Sequence, residues 1–393
     1  MRVPLVRHPL PNAVLCARMG HSKVKGFLSL FLSFYSAFVV SVFLMGPFLP
    51  LMILAPQIYR RITDRFIGLW MMLPVSLLEI FYGCRFKSIG DKLVPNERSL
   101  LILNHRTRID WLFFIACMMR QTNSSDLKII LKSQLKNAPC LGWSMQVACF
   151  IFLSRQWVKD RVWMTTVLKY FAELRYNFQL LLFPEGINFC RTGQEISNAY
   201  AQKNDLPMYK YVLHPHTTGF SFTLDYLKQI KKVDTVYDVT VAYCDVIPEK
   251  GEIDFFRGNV PKEMQFLIHK YPVSELPNNK EDLDNWCVEK WKEKENRLEK
   301  FYTGSKTFVG QEGGELLDLS AMCLPKVYFV ITFWVTAFFG TLYAMIFSSF
   351  VFWSVIVLMA TYVIMGKYFG GADNLAIASF NFTQDITHKA RTT

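Results

Sequence analysis

The sequence predicts an α/β domain, a mixed sheet flanked by helices, carried between membrane segments at its two ends. Three observations predict it. Between residues 85 and 310, short apolar runs that read as buried strands alternate with helical stretches. Three of those runs end directly in unusual polar residues, and open α/β sheets place their sites at the carboxyl ends of strands. Two long segments, 27–56 and 324–368, are almost free of charge and long enough to cross a bilayer.

The elements follow in order. Residues 1–26 carry Arg2, Arg7, Arg18, Lys23 and Lys25 and no acid. The membrane segments 27–84 come next. The first stretch, 27–56, is too long for a removable signal peptide and lacks its small-residue cleavage pattern. A short basic stretch follows at Arg60, Arg61 and Arg65. The apolar run 66–84 contains Pro74 and Glu79, so it reads as a kinked span, a re-entrant piece or an interfacial helix. Residues 85–310 form the main domain, with strand candidates at 100–103, 150–153, 180–183 and 239–243, and with parallel neighbours expected. In 282–301 the apolar residues Leu283, Cys287, Trp291, Leu298 and Phe301 keep a helical spacing, which predicts an amphipathic helix packed on the domain. Residues 303–314 read as a glycine-bearing linker. The segment 324–369 predicts two tightly connected spans, or else one long tilted span and a buried piece. Residues 370–393 read as a polar tail.

Composition narrows the function. Hydrophobic residues make up 51% of 393 positions, which is high for a wholly soluble protein. The formal net charge of +12, combined with the apolar segments, points to an anionic membrane surface or anionic lipid substrates. No nucleic-acid recognition motif is present. Nine cysteines, odd in number and without a C-x-x-C pair, fit neither a disulfide framework nor a zinc site. No internal repeat is visible. Both flanks of the first span are basic, so the positive-inside count leaves orientation open. The triplets at Asn123 and Asn381 would be glycosylated only on a lumenal face.

The most informative motif is Asn104-His105-Arg106-Thr107-Arg108-Ile109-Asp110, between the strand-like Leu100-Leu101-Ile102-Leu103 and a helical apolar run. On one helix, five residues turn the chain by roughly 140°, so the two side chains would diverge. His105 and Asp110 meet only if the histidine lies in the turn and the aspartate opens the helix. An imidazole held by a carboxylate keeps one tautomer and accepts a proton better. With no nucleophilic Ser or Cys in the motif, that proton belongs to a substrate hydroxyl. The alternative is that Asp110 caps the helix and His105 is an ordinary turn residue.

These residues resemble a known family. Asn104-His105 followed by Asp110, Arg155 after an apolar strand, and Phe183-Pro184-Glu185-Gly186 are similar, in order and spacing, to the first three motif blocks of the glycerolipid acyltransferases. Pro47-Phe48-Leu49-Pro50-Leu51, Leu213-His214-Pro215 and Asp238-Val239-Thr240-Val241-Ala242-Tyr243 resemble the lysocardiolipin and lysophosphatidylinositol acyltransferase branch. The likeness runs from about residue 25 to 310 and more loosely beyond.

The resemblance implies a membrane-bound enzyme of the endoplasmic reticulum with several spans; acyl-CoA is a cytosolic substrate, which favours a cytosolic active site over a lumenal one supplied by a transported donor. It would transfer an acyl group from acyl-CoA to an anionic lysophospholipid, lysophosphatidylinositol first, with lysocardiolipin, lysophosphatidylglycerol or lysophosphatidic acid as alternatives. It implies His105 as general base, Asp110 as its orienting partner, and direct attack on the thioester with no metal or redox cofactor. Arg155 would bind the acceptor's phosphate, with Lys132 and Lys136 as auxiliary contacts or simply solvated lysines. Asn104, Pro184, Glu185 and Gly186 would shape the acceptor site. A carboxylate beside a phosphate repels it, so Glu185 is expected to hold sugar hydroxyls, an arginine or the loop itself. The chain departs from the family pattern at three places. Ile187 and Asn188 stand where Thr and often Arg follow Pro-Glu-Gly; Cys149 replaces a common Gly; His216 replaces a common Arg. Two other readings compete. One is a non-catalytic lipid-binding protein on the same fold. The other is a metal-dependent phosphohydrolase using His105, Asp110 and Glu185, for which further ligands are too few.

Overall fold

One sheet organises residues 85–318 of the computed structural model, which describes residues 12–311 and 313–392. Its strands are β1 (Arg85–Gly90), β2 (Ser99–Leu103), β3 (Leu127–Lys132), β4 (Ile151–Leu153), β5 (Gln179–Leu182), β6 (Thr235–Tyr243), β7 (Glu263–Pro272) and β8 (Glu315–Asp318). They lie in the order β4-β3-β5-β2-β6-β7-β1-β8. The first five in that order are parallel, with Ser99 opposite both Gln179 and Thr235. β7 runs antiparallel to β6 and parallel to β1, and β8 closes the edge antiparallel to β1. Parallel neighbours need crossovers. The helices Asp110–Gln121, Leu141–Val147 and Trp157–Glu173 provide three of them, and Arg191–Lys203 with Thr217–Gln229 leads from β5 to β6.

β2 and β6 are buried at every position, as strands covered on both faces must be. Leu101 and Leu103 of β2 face a core shared with Phe113, Phe114 and the N-terminal helices. Leu100 and Ile102 face Phe171, Phe220 and Trp291 on the opposite side. The helix Lys280–Thr303 buries Leu283, Cys287, Trp291, Leu298 and Phe301 against that second core, as their spacing predicts. It also buries two cations against Asp238 of β6: Lys294 lies 2.5 Å and Arg297 3.4 Å from that carboxylate.

Four strands match the apolar runs, and four do not. β1 and β8 carry charged residues and lie at the far edge of the sheet. β7 mixes Gln265, His269 and Lys270 with its apolar residues. β3 contains Lys128, fully buried, whose ammonium pairs with Asp64 at 2.8 Å. The stretch read as a linker is anchored: Phe308 is buried and its N–H donates to Gln265 Oε1 at 3.0 Å.

Among the described residues, four helices are long and apolar enough to cross a membrane: Lys23–Phe48, Pro56–Tyr82, Leu324–Phe347 and Ser349–Phe369. The last two meet at Ser348, whose side chain caps the following helix. Of the options for 66–84, the chain takes a continuous helix with Pro74 inside it. This helix starts ten residues earlier and absorbs the basic stretch. Thirteen of its 27 residues are buried, and charges within it are paired: Asp64 with both Arg60 and Lys128, and Glu79 with Arg120 at 2.6 Å. The tail also differs from expectation. Gly370 (φ +71°) and Gly371 (φ +122°) turn the chain out of its last span in conformations that L side chains rarely adopt. The helix Ala372–Thr392 then docks on the domain through Ala376, Ile377 and Phe380, with Asp373 paired to Lys136 at 2.7 Å.

Candidate active site

The parallel block sends β2, β5, β3 and β4 to one edge of the sheet, so the residues after each strand share a crevice. His105 lies in the turn after β2, and Asp110 is the first residue of the next helix. His105 Nδ1 and Asp110 Oδ2 are 3.0 Å apart. Asp110 does not cap the helix. Its fully buried carboxylate accepts from the Thr107 N–H at 2.8 Å, the Thr107 hydroxyl at 3.1 Å and the Tyr243 hydroxyl at 2.5 Å. A carboxylate only accepts, so Nδ1 carries a proton, and in the neutral imidazole Nε2 is then the acceptor. Nε2 makes no hydrogen bond among the described residues, and the imidazole, tilted 31° to the Phe183 ring with centroids 4.3 Å apart, is 17% exposed. Burial and the adjacent Asp110 push the Tyr243 phenol well above its ordinary pKa, so it remains a donor.

Glu185 is almost completely buried and holds the loop. It accepts from the His105 N–H at 3.1 Å, the Trp291 indole at 3.1 Å and the Leu213 N–H at 3.3 Å. One carboxylate thus ties the catalytic turn, the 213 segment and the C-terminal helix together. Asn104 is likewise engaged in the fold. Its amide exchanges two hydrogen bonds with the Val241 backbone, 2.8 and 3.2 Å, which clamps the end of β2 to β6. Pro184 is buried, and its carbonyl accepts from the His216 N–H at 2.8 Å. Gly186 has φ +68°, and a Cβ there would lie 3.2 Å from His216 Cδ2, so glycine suits the position on both counts.

Arg155 is exposed at the rim, with φ +65° and one guanidinium N–H on the Gly186 carbonyl at 2.9 Å. Lys132 is exposed and makes no hydrogen bond or ion pair among the described residues. Lys136 is engaged by Asp373 and by the rings of Phe152 and Trp163, so it is not a free phosphate ligand. Cys149 has φ +52°, which accounts for the family's glycine there.

Residue-type reasoning passed over Arg106, Thr107, Tyr243 and Trp291. Arg106 follows the candidate base, and its guanidinium lies 4.2 Å from the Phe189 ring. Its Nε and Nη1 are buried without a hydrogen-bond partner. Among the described residues, no cluster of three His, Cys, Asp or Glu side chains is placed to hold a metal ion.

Burial pushes the Glu185 carboxyl up to about 8, against three N–H donors that pull it down. An acid whose pKa is raised on folding stabilises the fold below its unfolded value of 4.5 and loses that contribution as pH rises through about 8. Thermal melting of the detergent-purified protein should therefore fall steadily between these two values. Glu185→Gln should flatten that slope, and parallel curves would contradict the assignment.

An acyltransferase family model matches residues 85–243, and one for an acyltransferase C-terminus matches 254–334. The chain is 40% identical over 365 residues to lysocardiolipin acyltransferase 1 of Gallus gallus, covering 91% of this chain and 95% of that one. It is 34% identical over 307 residues to lysophosphatidylinositol acyltransferase 10 of Caenorhabditis elegans, covering 77% and 74%. It is 32% identical over 244 residues to a probable 1-acyl-sn-glycerol-3-phosphate acyltransferase of Arabidopsis thaliana, covering 62% and 64%. The chain is an acyl-transferring enzyme and belongs to the glycerolipid acyltransferase family, in its lysocardiolipin and lysophosphatidylinositol acyltransferase branch.

Proposed function

We propose that this enzyme acylates lysophosphatidylinositol from acyl-CoA, in remodelling of phospholipid acyl chains at the cytosolic face of the endoplasmic reticulum. The observation that carries the chemistry is the His105 Nδ1 to Asp110 contact, which leaves Nε2 unpartnered. Nε2 takes the proton from the acceptor's free hydroxyl. The oxygen attacks the thioester carbonyl, and the tetrahedral intermediate collapses with loss of the CoA thiolate. The proton held on Nε2 then goes to that sulfur, so no acyl-enzyme forms. Asp110 stabilises the transient imidazolium, and Thr107 and Tyr243 keep the carboxylate fixed.

Arg155 and Arg106 are proposed to hold the acceptor's phosphate, with Lys132 adding charge at the rim. The head-group preference rests on the loop after Gly186. Asn188 and His216 stand where the family pattern has cations, and amide and imidazole groups suit the hydroxyls of a sugar-like head group on a phosphodiester. A phosphomonoester acceptor would gain more from the missing arginine. The cytosolic face is proposed because acyl-CoA is a cytosolic substrate. Membrane anchoring fits a two-chain product, since each buried CH₂ favours the bilayer by about 0.8 kcal/mol.

Membranes expressing the protein should transfer oleoyl or stearoyl groups to lysophosphatidylinositol in preference to other lysophospholipids. His105→Ala should lower the rate by about 10²–10⁴, the usual share of a general base. Equal background rates for both proteins across the panel, with expression confirmed, would overturn the reading. Arg106→Gln should raise KM for the anionic acceptor by about tenfold or more with kcat little changed, as expected for loss of a charged hydrogen bond. An unchanged KM would remove Arg106 from the acceptor site.

A further inference from the structure

The helix Trp157–Glu173 begins two residues after Arg155 and presents an unusual outer face. Trp157, Val158 and Val162 are 41%, 78% and 64% exposed. Arg155, Lys159 and Arg161 are exposed around them. The one acid in these turns, Asp160, points inward and accepts from the Ser154 N–H and hydroxyl at 2.7 and 2.8 Å. The face is therefore apolar and cationic with no exposed carboxylate. Trp157 packs edge-on to Phe222 at 5.4 Å, and the Arg161 guanidinium covers the same ring at 5.4 Å. The arginine's charge is thus held beside the apolar residues.

The same helix is fixed next to the end of a membrane span. Ser349–Phe369 ends four residues before Asp373, whose carboxylate pairs with Lys136 at 2.7 Å. The Lys136 ammonium lies 5.4 Å from the Trp163 ring, and Tyr170 meets Phe380 edge-on at 5.2 Å. Trp163 is six residues beyond Trp157, about 9 Å along the axis.

We propose that the first two turns of this helix form a second membrane contact of the α/β domain, with Trp157, Val158 and Val162 dipping into an anionic lipid interface and Arg155, Lys159 and Arg161 meeting its head groups. A bilayer, rather than a protein partner, is the occupant. A tryptophan and aliphatic side chains mixed with lysine and arginine match the head-group boundary, and the net charge of +12 matches its anionic surface. The contact lies beside Arg155, so an acceptor lipid would enter the crevice with its chain still in the bilayer. The assignment goes beyond acyl transfer and stands whether or not the enzyme acts on lysophosphatidylinositol.

The test is fluorescence quenching in nanodiscs of anionic lipid with either dibrominated or ordinary phosphatidylcholine. The protein has nine tryptophans, so the Trp157 emission is taken as wild type minus Trp157→Phe. That difference should fall by about half or more in brominated discs, because interfacial side chains sit within reach of the upper acyl chains. An equal difference emission in both discs would overturn the proposal and leave the face to some other partner. In Val158→Asp/Val162→Asp, whose changes fall on exposed positions, the Trp157 emission should recover in brominated discs. Quenching that persisted unchanged in that variant would also overturn it.

Discussion

A carboxylate taken out of water must find donors, and this site is arranged around two that have done so. Asp110 and Glu185 are 0% and 1% exposed. Between them they accept seven hydrogen bonds, from His105 twice, Thr107 twice, Tyr243, Leu213 and Trp291. His105 is held by both: its ring by Asp110 and its backbone N–H by Glu185. The turn after β2 therefore has little freedom, and the imidazole is positioned before any substrate arrives. Such pre-organisation is what general-base catalysis requires of a side chain on a loop.

The rest of the fold supplies the donors. β6 brings Tyr243 to Asp110 and takes Asn104 through Val241. The helix Lys280–Thr303 brings Trp291 to Glu185 and pins itself to β6 through Lys294 and Arg297 on Asp238. Charged pairs play the same part at the membrane end. Arg60, Asp64 and Lys128 join the helix Pro56–Tyr82 to β3, and Lys136 and Asp373 join the helix Ala372–Thr392 to the turn after β3. The membrane segments are therefore fastened to the sheet at β3 and at the turn that follows it. Buried pairs of this kind contribute less to net stability than to fixing one arrangement over others.

What the sequence disclosed follows from range. His105 and Asp110 are five residues apart, and a strand–turn–helix pattern sufficed to bring them together. β2 and β5 are apolar after their first residue because both faces are covered, and the stripe of Leu283, Cys287, Trp291, Leu298 and Phe301 reports its own burial. Partners at long range gave no local signal. Tyr243 is 133 residues from Asp110, and Trp291 is 106 from Glu185. Of the roles the resemblance allowed Glu185, the structure shows the one that holds the loop, and Asn104 exchanges its hydrogen bonds with the Val241 backbone. β3 was hidden by Lys128, whose charge is neutralised by a residue 64 positions away. The docked helix after the last span was hidden by the overall polarity of its sequence.

The account stands or falls on where the acceptor hydroxyl sits. The most direct measurement is a cryo-EM structure of the full chain in nanodiscs with lysophosphatidylinositol and a thioether analogue of acyl-CoA. The account predicts the free glycerol hydroxyl about 2.6–3.2 Å from His105 Nε2, the phosphate against Arg155 and Arg106, and the analogue's sulfur on the far side of the hydroxyl. A bound acceptor whose hydroxyl lies out of reach of Nε2, with another side chain positioned to take its proton, would contradict it.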